Sequence, residues 1–245
     1  MSGDTATPVA LITGATGGIG SAVARRLHRE GMRVVLTSSS SRTQGERLAK
    51  TLAPNASYVQ GDLTDPADAR KLVRAALSQF GRLDLLVNNA AAFAHIPHTD
   101  LAAATPEVWR RLLDVNVIGV WCTIEAARVA LEDSCGHIVN ITSLAGVRPM
   151  GASIPYAVSK AALGHMTPLL AKALGPSVRV NAIAPGFVAT DRTSGWSEVL
   201  ASVESSAPLR RAGTPEDIAD AVVALHSATY VTGQTLAVDG GLSLL

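Results

Sequence analysis

Apolar residues along this chain fall into two patterns that take turns from one end to the other: short unbroken runs, and longer stretches spaced three and four apart. Val9 to Thr13 is a compact run closed by glycines, the form of a strand buried on both faces. Gly18 to Glu30 puts Ile19, Ala22, Val23 and Leu27 on one helical face, and Gly31 stops it. Val34 to Leu36 and Ser57 to Gln60 predict two more strands. Asp65 then caps a helix that Pro66 opens, with Leu72, Val73, Ala76, Leu77 and Phe80 at helical spacing. Leu83 to Val87 reads as the fourth strand. Thr105-Pro106 opens a helix expected to reach Leu131, and His137 to Ile141 is the fifth strand. Tyr156 to Ala173 is helical in pattern, with a kink or local break expected at Pro168. Val178 to Ile183, Pro215 to Leu225 and Thr235 to Val238 complete the series as strand, helix and strand. This alternation, without linker or low-complexity block, predicts an α/β fold: one doubly wound, seven-stranded parallel sheet with helices on both faces.

Composition narrows the function. Apolar residues make up 47% of the 245 and charged residues 17%, which excludes a disordered chain, and the length suffices for a sizeable core. The net charge is +1, and no basic run exceeds two residues, as in Arg25-Arg26, Arg110-Arg111 and Arg210-Arg211. Nucleic acid is therefore not an expected partner, and these pairs read as solvated faces. Cys122 and Cys135 lack any motif spacing and read as free thiols in a reducing compartment. No apolar run is long enough for a membrane span, and the polar start from Met1 to Thr7 has no signal-peptide core, so a cytoplasmic protein is expected.

Between the first strand and first helix lies Thr13-Gly14-Ala15-Thr16-Gly17-Gly18-Ile19-Gly20. Glycines there allow a sharp turn and let a pyrophosphate approach a helix N-terminus, where free N–H groups and the dipole favour anions. A tight structural turn would look similar; placement directly after the first strand favours the dinucleotide. The spacing T-G-x-x-x-G-x-G resembles that of the short-chain dehydrogenase/reductase family, and the resemblance extends over nearly the whole chain. Asp62-Leu63 is similar to the family's adenine-contacting pair. Asn88-Asn89-Ala90-Ala91 is similar to its N-N-A-G element, with Ala91 in the glycine's place.

Ser143, Tyr156 thirteen residues on, and Lys160 four further form the candidate catalytic set. The four-residue step stacks Tyr156 and Lys160 a turn apart on one helix face. A nearby ammonium is expected to lower the tyrosine pKa from about 10, making it a general acid or base. Ser143 follows the fifth strand, at the carboxyl edge where ligands of open α/β sheets bind. Taken singly, each residue has a structural reading as a helix cap, a core aromatic or a solvated lysine; their joint spacing argues against it.

The resemblance implies more. Asn116 would be the fourth catalytic residue, associated with a proton-relaying water. Gly14, Thr16, Gly18, Ile19, Gly20, Asp62, Leu63, Asn89, Tyr156, Lys160, Pro185, Gly186, Val188 and Thr190 would contact the cofactor within one Rossmann-type domain covering residues 1–245. A lid would span about 187–211 and carry Trp196, and His95, Leu144 and Met150 would line the substrate site with it. Ser38 stands where NAD-preferring relatives carry an acid, followed by Ser39 and, shortly after, Arg42, and hydroxyls and an arginine suit a phosphate, so NADP(H) is the expected cofactor and NAD(H) the alternative. Thr232-Gly233-Gln234 and Asp239-Gly240-Gly241 resemble the C-terminal signature of tetrameric members, so a homotetramer or homodimer is expected. His95 and His98 lack a third ligand at suitable spacing, and no metal is expected.

The expected activity interconverts a small-molecule ketone and a secondary alcohol. A 3-oxoacyl-[acyl-carrier-protein] reductase is the nearest alternative; a non-catalytic dinucleotide sensor and an epimerase of the extended group are others. Carrier-binding relatives carry basic clusters before the fifth and sixth strands. Here Leu131 to Gly136 contains Glu132 and Asp133, and Leu174 to Ser177 is uncharged, so no advantage for a carrier-borne ketone is expected.

Overall fold

A computed structural model describes residues 7–245; the polar start of the chain lies almost entirely outside the described residues. Seven parallel strands form one sheet in the order β3-β2-β1-β4-β5-β6-β7. They are β1 (Val9–Ile12), β2 (Arg33–Ser38), β3 (Ala56–Gln60), β4 (Leu85–Asn88), β5 (His137–Ile141), β6 (Arg179–Pro185) and β7 (Thr235–Val238). The helices are α1 (Gly18–Arg29), α2 (Arg42–Thr51), α3 (Pro66–Phe80), α4 (Pro106–Leu113), α5 (Gly119–Asp133), α6 (Ile154–Leu174), α7 (Ser197–Ser206) and α8 (Pro215–Ser227).

Strand residues alternate between two buried layers, as a period of two demands. Ala10, Ile12, Val34 and Leu36 pack with Val23 and Leu27 of α1, Leu48 of α2 and Val222 of α8. Val9, Leu11 and Val35 pack on the other face with Leu72 of α3, Ile124 of α5 and Leu163 of α6. Both faces are covered, so the runs read as continuously apolar.

The chain leaves β3 at one edge and re-enters beside β1 as β4. The order reverses between β1 and β4, and ligands of open α/β sheets bind at such a switch point, beyond the carboxyl ends of the strands. The turn after β1, the segment after β4 and Ser143 after β5 all lie at that edge.

Four details depart from the sequence pattern. The helix expected from Pro106 to Leu131 is interrupted by a π-helical turn, Asp114–Ile118. Pro168 breaks nothing: α6 runs through it. Helices α2 and α7 were not expected. Finally, residues 131–136 and 174–177 precede β5 and β6, and so lie at the amino edge of the sheet, opposite the site. Glu132 there is paired to Arg128 at 2.8 Å.

Candidate active site

The glycine turn begins with Gly14 at φ +62°, where a Cβ would also lie 2.8 Å from the Ala90 Cα. Only glycine fits that crossing of two backbones. Helix α1 then starts with neither a side-chain cap nor an acid in its first turn. Residues Gly17 to Gly20 at its start line the cavity, and a Cβ added at Gly17 would meet only the Gly14 carbonyl, 3.6 Å away. Such an opening fits an anion, and the fit to a dinucleotide pyrophosphate rests on it. Asn89 braces the turn: its Nδ2 donates to the carbonyls of Thr13 (2.9 Å) and Gly14 (3.0 Å).

One cavity of about 1030 Å³ runs from this turn across the sheet edge. Its walls bring together Gly14, Thr16, Gly18, Ile19, Gly20, Ser38, Ser39, Asp62, Leu63, Asn89, Pro185, Gly186, Val188 and Thr190 with Ser143, Tyr156 and Lys160. His95, Leu144, Met150 and Trp196 line the same space. Two expected residues do not. Arg42 opens α2 outside the wall, donating from Nε to Gln60 Oε1 at 3.0 Å with Glu46 at 3.8 Å. Beside it, Ser39, Ser40, Ser41 and Gln44 line the cavity. Asn116 is fully buried behind the wall in the π-helical turn. Its Oδ1 accepts from Ala92 N (2.7 Å), and its Nδ2 donates to Ala92 O (3.1 Å) and Ser159 Oγ (2.9 Å).

Helix α6 sets the reactive groups. Ser153, fully buried, caps it by accepting from Tyr156 N at 3.3 Å, fixing Tyr156 in the first turn and Lys160 one turn on. Ser143 lies close enough to the Tyr156 phenol to pull its pKa down. Its Oγ also accepts from Ala145 N at 3.1 Å, so it serves as a cap as well. Lys160 Nζ donates to the Ile141 carbonyl at 2.8 Å and lies 5.9 Å from the tyrosine ring centre.

Burial pushes the Tyr156 phenol above its usual range, while Ser143 and the charge of Arg192 pull the other way. The expected lowering by a neighbouring ammonium is not what these side chains produce. Lys160 itself is pushed down to about 7, by burial first and by Arg192 second.

The sequence reading missed Phe93 and Arg192. Phe93 stands edge-on to Tyr156 with ring centres 5.3 Å apart, and the Arg192 guanidinium lies 5.8 Å from the Phe93 centre. Only the position of Phe93 after the N-N-A element hinted at it. Arg111, read as solvated, also lines the cavity. No group of three His, Cys, Asp or Glu able to hold a metal exists among the described residues, and no helix there is long and apolar enough to cross a membrane.

A switch-point cavity with a glycine turn and a Ser-Tyr-Lys wall is the arrangement of a dinucleotide-dependent oxidoreductase. The chain belongs to the short-chain dehydrogenase/reductase family and is an enzyme acting on CH–OH or C=O groups: a family model described as enoyl-(acyl carrier protein) reductase matches residues 14–243. It is 53% identical over 242 residues, 97% of each chain, to a Streptomyces violaceoruber protein whose name assigns it as ketoacyl reductase 2 of the granaticin polyketide synthase. A 3-ketoacyl-(acyl-carrier-protein) reductase from Brucella melitensis, solved with NADH, superposes with TM-score 0.90 at 32% identity, covering 96% of this chain and 98% of that one. A blue fluorescent protein from a metagenomic library, solved with NADPH, superposes at 0.88 with 35% identity and the same coverage.

Proposed function

We propose that this chain is an NADPH-dependent ketoreductase that converts a ketone to a secondary alcohol, with Tyr156 as the proton donor. The observation that carries the reading is the convergence of Ser143, Tyr156 and Lys160 on one wall of the cavity that begins at the glycine turn. When bound, a nicotinamide dinucleotide supplies the hydride. The first turn of α1, with Gly14 to Gly20, holds the pyrophosphate; Asp62 and Leu63 hold the adenine. Asn89, Pro185, Gly186, Val188 and Thr190 hold the nicotinamide half.

Ser143 donates to the substrate oxygen and orients it. Tyr156, whose phenol burial keeps protonated, gives that oxygen its proton. Lys160, anchored on Ile141 O one helical turn from Tyr156, would bond the ribose. Asn116 is a positioning residue: its amide ties Ala92 to Ser159.

NADPH over NADH is supported by hydroxyls in place of an acid at Ser38 and Ser39. The residues 187–211 act as a lid within one catalytic domain. Exposed Trp121 and Val129 on α5, and Leu236 on the edge strand β7, suit assembly into a homodimer or homotetramer. The second reading, a 3-oxoacyl-[acyl-carrier-protein] reductase, is favoured by the names of the relatives.

Cofactor oxidation with a panel of β-ketoacyl thioesters and cyclic ketones tests the activity; no turnover with any of them overturns it. Ser38→Asp should shift the NADPH-to-NADH preference about tenfold toward NADH by repelling the 2′-phosphate. Wild-type kinetics already favouring NADH would refute the assignment.

A further inference from the structure

The chain holds only three each of Phe, Tyr and Trp, yet Phe93, Phe187, Tyr156 and Trp196 gather at the mouth of the cavity. Trp196 lies tilted against Phe93 (5.6 Å between centres), Phe187 (6.4 Å) and the imidazole of His95 (4.7 Å). Phe93 in turn meets Tyr156 edge-on. Elsewhere this protein fills space with Leu, Val and Ala. A saturated acyl chain would be buried as well by those residues; aromatic faces add a specific gain only against a flat π system.

The second observation is a charge. Arg192 lines the cavity, and its guanidinium rests over Phe93. No ion-pair partner for it exists among the described residues, and its field reaches both Tyr156 and Lys160. A guanidinium held on a ring face keeps its N–H fork free for an anionic oxygen.

We propose that the mouth selects planar ketones that carry an anionic oxygen, with Phe93 and Trp196 stacking the ring and Arg192 holding the anion. The inference rests on the ketoreductase reading above. It makes Arg192 a specificity-determining residue. Two other anions could occupy the same fork, a cofactor phosphate and the phosphate of a pantetheine arm, and the test separates them.

Purified enzyme with NADPH is assayed on a carboxytetralone, its methyl ester, a saturated decalone, and a phosphopantetheine thioester of a saturated ketoacyl group. Wild type should favour the acid over its ester by roughly tenfold or more in kcat/KM, as a charge-assisted bond implies. Arg192→Met should collapse that ratio, mainly through the KM of the acid. Trp196→Leu should reduce the preference for tetralone over decalone. Arg25→Met, an equal loss of charge remote from the cavity, should leave both ratios standing. Quenching of tryptophan fluorescence by the acid should weaken in Arg192→Met, giving a binding readout independent of turnover.

Equal constants for acid and ester in the wild type overturn the proposal. So does an Arg192→Met variant whose loss appears only in the KM for NADPH or only with the phosphopantetheine thioester. Turnover without discrimination defeats this inference alone; failure to oxidise NADPH with any of the four defeats the reductase reading and this inference together.

Discussion

Tyr156 carries the most exposed claim at the scale of single residues. Tyr156→Phe keeps the ring and its contact with Phe93 but deletes the transferable proton, so kcat should fall by roughly 10² or more. Wild-type turnover in a stopped-flow or steady-state assay would remove it from the mechanism. The direction of its titration adds a second expectation. Burial raises the phenol, so the acid form needed for reduction persists through the neutral range, whereas alcohol oxidation needs the phenolate. Reduction should therefore stay level around neutrality while oxidation climbs with pH; a neutral-range fall in reduction assigned to the tyrosine would contradict this. That Ser143, Tyr156 and Lys160 meet at one cavity was legible in the sequence because it is a spacing: Tyr156 and Lys160 share a helix face, and Ser143 follows a strand. Arg192 and Phe93 were not legible, because each is a lone residue whose importance comes from a neighbour far away in sequence. Sequence placed Arg42 near Ser38, but its bond to the side-chain oxygen of Gln60 comes from a different strand and could not be read there.

The elements themselves were legible wherever burial imposed a period. The inner strands were found because their residues are enclosed on both faces; the edge strands β3 and β7, half-buried or exposed, were found from their strand-forming residues between helices. Helix α2 was missed because its ten residues bury little beyond Leu48, leaving a polar stretch with no stripe to read. The π-helical turn was equally silent, since one extra residue in a turn leaves the apolar count almost unchanged; it nonetheless carries Asn116. Pro168 was over-read. A long helix packed through Leu163, Leu170 and Ala171 tolerates one missing N–H, because tertiary burial outweighs the local cost. The element that matters most to chemistry is the first turn of α6, and its cap can be tested. Ser153→Ala removes the acceptor for Tyr156 N and should cost about 1 kcal/mol of stability. It should also lower kcat more than it raises KM, because the tyrosine loses its fixed place. An unchanged kcat beside the lowered melting temperature would show that the cap only holds the helix.

For the molecule as a whole, the two edges of the sheet do different things. At the amino edge His137 opens β5, stacked 5.8 Å from His226, beside Arg179, which donates to the carbonyls closing α8. Burial first, then the charge of Arg179, pushes His137 down to about 2, and His226 is lowered too, with Asp84 alone opposing. The unfolded chain takes up the His137 proton below about pH 6.5, whereas the folded chain holds that imidazole neutral far below it. Stability is therefore full above that pH and falls as pH drops, by about 2 kcal/mol for His137 at about pH 5. His137→Gln should flatten this acid limb in urea melts; parallel curves for the two proteins would discount it. Because that edge is remote from the mouth, Glu132 and Asp133 do not repel a partner docking at the cavity, and the question of a carrier passes to the charges at the mouth. Across the whole cavity the charges are mixed: Asp62 and Asp191 against Arg111, Arg192 and the buried Lys160. The whole chain is close to neutral. Steering an acidic carrier needs a broad field of one sign, and rim charges act chiefly on the association rate. A small ketone or short thioester should thus be reduced at least as efficiently as the same group on acyl carrier protein, with a ratio that barely responds to salt. The two specificity constants, measured side by side from low to high ionic strength, decide it. A large carrier advantage that disappears as salt is added would mean that a basic surface, built from other arginines or from a second subunit, receives the carrier.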